Sequence, residues 1–180
     1  ALLHACFFPV SEYRIMNITS LAFSDGAPIP DNYTGVDADI SPPLGWAGIP
    51  DSVQSLALIC DDPDAPSAAN PRPEGPWVHW VIYNIPAHVR ELPEAVERKP
   101  KPSVPAGAIQ GKNDFDRDNI GYRGPMPPVG SGPHRYVFVL YALDRELHLD
   151  PKQADKARLL EAMQGCVLST ATLTGTFERK

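Results

Sequence analysis

Three short stretches carry the side chains that could do chemistry: Asp61-Asp62-Pro63-Asp64-Ala65-Pro66, Trp77-Val78-His79, and Gly130-Ser131-Gly132-Pro133-His134-Arg135-Tyr136. Imidazoles and carboxylates in this mixture suit recognition of an oxyanion. A neutral imidazole donates one hydrogen bond and an imidazolium two. A charge-assisted bond to a phosphate oxygen is worth roughly 1.5–3 kcal/mol. A carboxylate beside each ring would hold it and raise its pKa, and Asp62 or Asp64 can serve. A carboxylate also accepts bonds from an ammonium, so a site of both signs suits a zwitterion such as phosphoethanolamine. Pro66 and Pro127 would stiffen the walls, one of them through a cis bond.

Each stretch lies where a strand meets a loop, the place where a sheet fixes a side chain and a loop leaves it accessible. Residues 55–60 form a nearly continuous apolar run, the pattern of a strand buried on both faces. Residues 77–85 and 135–143 are rich in aromatic and β-branched side chains and predict two further core strands. Strict alternation puts His134 and Tyr136 on one face with Arg135 opposite. It also puts His79 with Val81 and Tyr83, and Trp80 with Ile82 on the other side. Residues 15–23 read as a first strand and 172–177 as a returning one. Residues 28–50 read as mostly loop, with Leu44 and Trp46 packing inward, and 91–105 as a surface loop. Asp150-Pro151 reads as a helix N-cap and first helical residue. Ala154, Ala157, Leu160 and Met163 continue the helix as a stripe to about Gln164, and Gly165 stops it. The expected architecture is mainly β: antiparallel strands with few peripheral helices.

The bulk composition bounds the function. At 180 residues the chain suits one domain, and 43% apolar content argues against disorder. A net charge of −6 argues against nucleic acid, which wants a basic face. No apolar run reaches the length of a transmembrane segment. Cys6, Cys60 and Cys166 form neither a disulfide framework nor a CxxC pair, so a cytoplasmic location is the default. The 21 prolines cluster in loops as rigid turns. Residues 1–15 lack the basic start and long apolar run of a signal peptide. They read as an N-terminal extension, and 16–180 as the domain.

Blander readings apply to each residue singly. His79 could be a core histidine, His134 a loop-end cap, and Asp-Pro-Asp a plain turn. Asp64 and Arg135 could form a structural ion pair, and Trp77 and Tyr136 could be core aromatics. A weak hydrolase using His79 or His134 as base lacks a GxSxG elbow. Cys60 sits in a buried-looking strand, and Ser131 has no evident orienting partner. The histidines and aspartates have the donor types for zinc but not a closely spaced His pair. The expectation is a binding protein without catalytic residues, metal or cofactor.

In order along the chain, the motifs resemble those of the phosphatidylethanolamine-binding protein (PEBP) family, also called Raf kinase inhibitor proteins. The resemblance lies in Asp62-Pro63-Asp64-Ala65-Pro66, Trp77-Val78-His79, Pro127-Pro128 and Gly132-Pro133-His134-Arg135-Tyr136. It runs from about Met16 onward. It implies a β-sandwich-like core and a pocket lined by Asp62, His79, His134 and Tyr136, with Trp77 and the Met126–Pro127 bond as walls. Adding Asp64, the candidate ligand-binding set is Asp62, Asp64, Trp77, His79, Pro127, His134 and Tyr136. Gly124-Pro125-Met126-Pro127-Pro128 is similar to the prokaryotic branch, which implies a homodimer. The resemblance also implies a kinase or other signalling enzyme as partner, or a protease inhibited through the 99–105 loop.

Overall fold

The apolar run at 55–60 becomes the centre of the molecule. In the computed structural model, which describes residues 15–115 and 120–180, the chain runs in antiparallel strands. These are β1 (Asn17–Thr19), β2 (Leu44–Ala47), β3 (Ser55–Asp62), β4 (Trp77–Pro86), β5 (Glu91–Leu92), β6 (Ile109–Gln110) and β7 (His134–Leu143), followed by helix α1 (Lys156–Ala162) and β8 (Val167–Phe177). A five-stranded sheet has the order β6-β4-β3-β7-β8, and a three-stranded sheet the order β1-β2-β5. Every residue of β3 is buried.

Both faces of the large sheet are covered, which is why its strands are so apolar. Leu56, Leu58, Trp80, Ile82, Phe138 and Leu140 share a core with Ile18, Leu44, Trp46 and Leu92 of the small sheet. On the opposite face Ala57, Ile59, Val81 and Tyr83 pack with Leu159 and Met163 from the helix region. The indole N–H of fully buried Trp80 donates to Gln110 Oε1 at 2.7 Å. The Gln110 amide in turn donates to the carbonyls of Glu97 and Lys99 at 2.7 and 2.9 Å, so this buried polar group is satisfied.

The pairing of β3 with β4 shifts register twice. Cys60 faces Trp80 but Asp61 faces Val78, so His79 is an extra residue in β4. This is a β-bulge, in which two residues oppose one and the strand's alternation is reset. It corrects the expected grouping of His79 with Val81 and Tyr83. Val78 instead joins their side of the sheet, while the His79 ring stands 5.0 Å from the Tyr136 ring. A second shift, between Leu56 and Leu58, coincides with Asn84 at φ 52°, a left-handed conformation Asn tolerates. The Asn84 amide pairs with the Leu147 backbone through two bonds of 2.8 Å.

Other boundaries differ for local reasons. The first strand is only Asn17–Thr19, and the predicted loop at 28–50 contains β2, from which Leu44 and Trp46 do point inward. The predicted loop at 91–105 begins with the two-residue β5. The helix starts one turn later than expected. Asp155, not Asp150, is the N-cap, accepting from the Arg158 amide at 2.9 Å. Asp150 closes a preceding turn, its carbonyl accepting from the Gln153 and Ala154 amides. Leu159 therefore points inward and Leu160 is exposed, which reverses the predicted stripe at that position.

The returning strand is longer than expected, and half of its outer edge is covered. Gly26 N–H donates to Thr174 O at 2.7 Å, Ile29 N–H to Thr176 O at 2.8 Å, and Thr176 N–H to Ala27 O at 2.9 Å. Asp25 Oδ1 accepts from Thr174 N–H at 2.8 Å. Most of the expected extension at 1–15 lies outside the described residues.

Candidate functional site

The three stretches converge because β3 ends where β4 and β7 begin. Trp77 lies across from Asp62 at the β3–β4 edge, and His134 opens β7 on the other side of β3. Around this end lies a cavity of about 340 Å³. It is lined by Asp62, Trp77, His79, Pro127, His134 and Tyr136, together with Ala65, Pro66, Arg72, Phe115, Met126 and Pro128. Among the described residues the cis peptides are Ala65–Pro66 and Val104–Pro105, which places the cis bond at Pro66 and not at Pro127.

Asp62 and His134 form a buried pair. Asp62 Oδ2 lies 2.7 Å from His134 Nδ1, and Asp62 Oδ1 accepts from the Asp64 amide at 2.8 Å. Burial pushes the Asp62 carboxyl above its ordinary pKa, and the bond from His134 opposes that rise. On its far side His134 Nε2 lies 3.0 Å from Ser131 Oγ, whose hydroxyl donates to Pro128 O at 2.7 Å. A hydroxyl hydrogen turned to Pro128 O leaves Ser131 Oγ to accept from Nε2, and one turned to Nε2 makes Ser131 the donor. Both nitrogens of His134 are thus engaged within the protein.

His79 is fixed differently. Its Nδ1 lies 2.6 Å from the Arg123 carbonyl, so Nδ1 is the donor. Nε2 has no partner among the described residues and in the neutral ring is an acceptor. Burial pushes the imidazole pKa down to about 4, partly opposed by the bond to Arg123. Phe115 and Tyr136 stand edge-on to the ring at 4.9 and 5.0 Å.

Besides Arg123 Nε, which lies 2.9 Å from Asp39 Oδ2 without hydrogen-bond geometry, two polar atoms are buried without a partner among the described residues: Trp77 Nε1 and Tyr136 Oη. Both belong to residues lining the cavity. Burial first, and then the nearby Asp62 carboxylate, hold Tyr136 as a neutral phenol. The Arg72 guanidinium sits 4.7 Å from the Trp77 ring centre, a cation–π distance, and is bonded to Asp114 Oδ2 at 3.1 Å. Asp114 Oδ2 also accepts from the Val78 amide at 3.0 Å, which ties the 61–76 loop to β4.

Of the seven candidates, the structure brings six to the cavity and places Asp64 outside it. The Asp64 carboxylate accepts from Arg135 three times, from the backbone N–H and Nε at 2.9 Å and from Nη2 at 2.8 Å. These bonds to Arg135 hold its pKa below the usual carboxylate range. Asp64 therefore pins the loop to β7, and Arg135 points away from His134 and Tyr136 as alternation predicted. Sequence reasoning missed Arg72 and Phe115. Arg72 is the cation in the 61–76 loop, a signal that was available, whereas nothing local marks Phe115. Among the described residues no group of three His, Cys, Asp or Glu could hold a metal ion. No helix among them is long and apolar enough to cross a membrane.

Gly124 keeps the Arg123 carbonyl in place. Its N–H donates to Asp39 Oδ1 at 2.6 Å, and an added Cβ would strike the Tyr33 carbonyl oxygen and lie 2.6 Å from Thr34 Cα. Gly124→Ala is expected to cost about 1–3 kcal/mol of stability through this overpacking. Urea unfolding checks it, and a loss under about 0.5 kcal/mol, the scale of a neutral surface change, would count against the contact.

A two-sheet β protein with a small mixed polar and aromatic pocket at the strand ends is the class that fold and site define. A family model described as phosphatidylethanolamine-binding protein matches residues 19–178. The chain belongs to that family, as its motifs suggested. It is 49% identical over 164 residues to a UPF0098 protein of Methanothermobacter thermautotrophicus, covering 91% of this chain and 99% of the relative. A crystal structure of a PEBP homologue from Chlamydia trachomatis superposes with TM-score 0.79 at 40% identity, covering 93% of this chain and 99% of that one. YbcL of E. coli, described as a new member of the mammalian PEBP family, superposes with TM-score 0.80 at 32% identity, covering 92% and 99%. The prokaryotic relatives agree with the branch suggested by residues 124–128.

Proposed function

We propose that this is a small-ligand binding protein, not an enzyme, whose pocket takes the phosphoryl or carboxylate end of a small or tethered ligand. Phosphoethanolamine-like molecules and phosphorylated groups fall in that class. The observation that carries the reading is the pair of buried donors, Trp77 Nε1 and Tyr136 Oη, left without partners among the described residues at a cavity of about 340 Å³. Native proteins rarely bury donors unpaired, and where they do, a ligand is one explanation. The volume lies in the range of small-molecule sites. Family membership supports ligand binding in general. The same likeness is the support for a kinase or protease partner, a cytoplasmic homodimer included.

The hydrolase alternative would use the Asp62–His134–Ser131 chain. Ser131 Oγ lies 3.0 Å from His134 Nε2 and 2.7 Å from Pro128 O, but Ser131 is not among the residues that line the cavity.

Calorimetric titration with phosphate and with phosphoethanolamine tests the binding reading. Binding is expected at millimolar ligand or below. Tyr136→Phe should weaken it by roughly five- to tenfold, the loss of one hydrogen bond of about 1 kcal/mol or slightly more. No heat at millimolar ligand, together with unshifted imidazole resonances of His79 and His134, would overturn it.

A further inference from the structure

We propose that Arg72 is a ligand-binding arm of the pocket, whose guanidinium takes the anionic group of the ligand beside the Trp77 indole N–H. The inference rests on the binding reading above and deepens it by naming the residue that supplies the positive charge.

The 61–76 loop holds the base of the arm still. The Arg72 N–H donates to the Ala65 carbonyl at 2.8 Å, and the Arg72 carbonyl accepts from the Gly75 N–H at 3.2 Å. Ala65 and Pro66 line the cavity, so the arm starts at its rim. From there the guanidinium reaches over the Trp77 ring, 4.7 Å from its centre. The same ring carries Nε1, a buried donor without a partner among the described residues. A flat fork of N–H groups over an indole, with the indole's own N–H beside it, fits an oxyanion. Such a group accepts from several donors at once, and the fork matches phosphate and carboxylate geometry.

Charge points the same way. Among the described residues that line the cavity, Arg72 alone carries a permanent positive charge. The one carboxylate lining it, Asp62, lies 2.7 Å from His134 Nδ1. A second hollow, of about 320 Å³, also touches Arg72, but its other walls include Glu74, Asp114 and Asp155, and its Lys156 is paired with Asp61. An anion is therefore drawn to the first hollow and repelled from the second.

The contacts that hold the guanidinium leave it able to serve. Nη1 donates to Asp114 Oδ2 at 3.1 Å, and Nε lies 3.8 Å from Glu74 Oε2. These engage at most two of the five N–H groups a guanidinium carries. The Glu74 side chain is 69% exposed and that of Asp114 34%, so water already screens both pairs. An oxyanion can add to the fork, or take the place of Glu74, without breaking a buried interaction.

Calorimetry with inorganic phosphate and with glycerophosphoethanolamine, a phosphate diester, provides the test. Arg72→Gln is expected to weaken both by roughly tenfold or more, the scale of a hydrogen bond to a charged group. Arg72→Lys keeps the charge without the flat fork and should recover part of that loss. Asp114→Asn separates ligand contact from loop support. It keeps an acceptor for the Val78 amide and removes the carboxylate that competes for Arg72. Binding should stay level or tighten in that variant, whereas an Arg72 that only braces the loop through Asp114 would lose binding in both. NMR of the unaltered protein gives a readout independent of any variant folding: the Arg72 Nε–H resonance should move as phosphate saturates the pocket. Binding within about twofold of the original in Arg72→Gln, equal weakening in Arg72→Gln and Asp114→Asn, or an unmoved Nε–H resonance at saturation overturns the arm and leaves the anion pocket standing. No heat from the unaltered protein with either probe overturns both readings.

Discussion

Asp62→Ala is expected to lower folding stability by about 3 kcal/mol or more, the scale found when one partner of a buried ion pair is removed. His134 is fully buried, and its Nδ1 has Asp62 as partner. The substitution leaves that nitrogen without a partner and strips the Asp64 amide of its acceptor as well. An unpaired buried polar group costs roughly 1–3 kcal/mol, and here there are two side by side. The loss reaches the pocket, because Asp64 in turn clamps Arg135 at the start of β7. Asp62→Asn keeps an acceptor for the Asp64 amide and should retain part of the loss. Urea unfolding of the two variants checks this. A drop under about 1 kcal/mol for Asp62→Ala, less than one such unpaired group should cost, would show that His134 does not depend on its carboxylate.

Acid should unfold the protein through His79. The folded ring titrates at about 4 and the unfolded one at 6.5, because burial disfavours the imidazolium. Below pH 6.5 the unfolded chain takes up a proton that the folded ring refuses, so stability falls as pH falls. The fall is about 1.4 kcal/mol per pH unit, and it levels off near pH 4 after a total of about 3 kcal/mol. Asp64, whose pKa is held down by Arg135, adds a further loss in more acid solution as its carboxylate protonates. Asp62 has the opposite sign: its raised pKa favours the folded state as pH falls and offsets part of the loss. Unfolding free energies at pH 7, 5.5 and 4.5 give the slope. His79→Gln should be nearly flat between pH 6.5 and 4.5, and an equally steep slope in that variant would assign the acid sensitivity elsewhere.

The parts of the fold that were legible are those where physics acts over several residues. β3, β4 and β7 announce themselves by long apolar, aromatic and β-branched runs, because a strand covered on both faces has no polar side to show. β2, β5 and β6 are two to four residues long and sit among Gly and Pro, too short for a period to register. The helix start was misplaced because Asp150 and Asp155 both satisfy the N-cap pattern, and tertiary contacts choose between them. The Ala154 carbonyl is taken by the Lys112 amide at 2.7 Å, which holds that residue outside the helix.

The site shows the same division. The six pocket residues were found from motif order, but the reason His79 reaches the cavity was not, since a bulge is invisible to an alternation rule. The sequence reading expected the two histidines to offer N–H groups to an anion. The structure engages both nitrogens of His134 within the protein and commits Nδ1 of His79 to the backbone, contacts set by the distant Ser131 and Arg123.

The segment at 25–29 works as a stopper on the rim of the large sheet. It occupies the β8 backbone around Thr174 and Thr176, while the stretch from Val167 toward Thr172 keeps its outward amides and carbonyls unclaimed among the described residues. An unclaimed rim is a template on which foreign chains can lengthen the sheet. How far such growth could run is therefore set by a handful of residues near the beginning of the domain, one strand away from Tyr136 of the pocket. Loosening them would lengthen the open rim by the stretch they now cover.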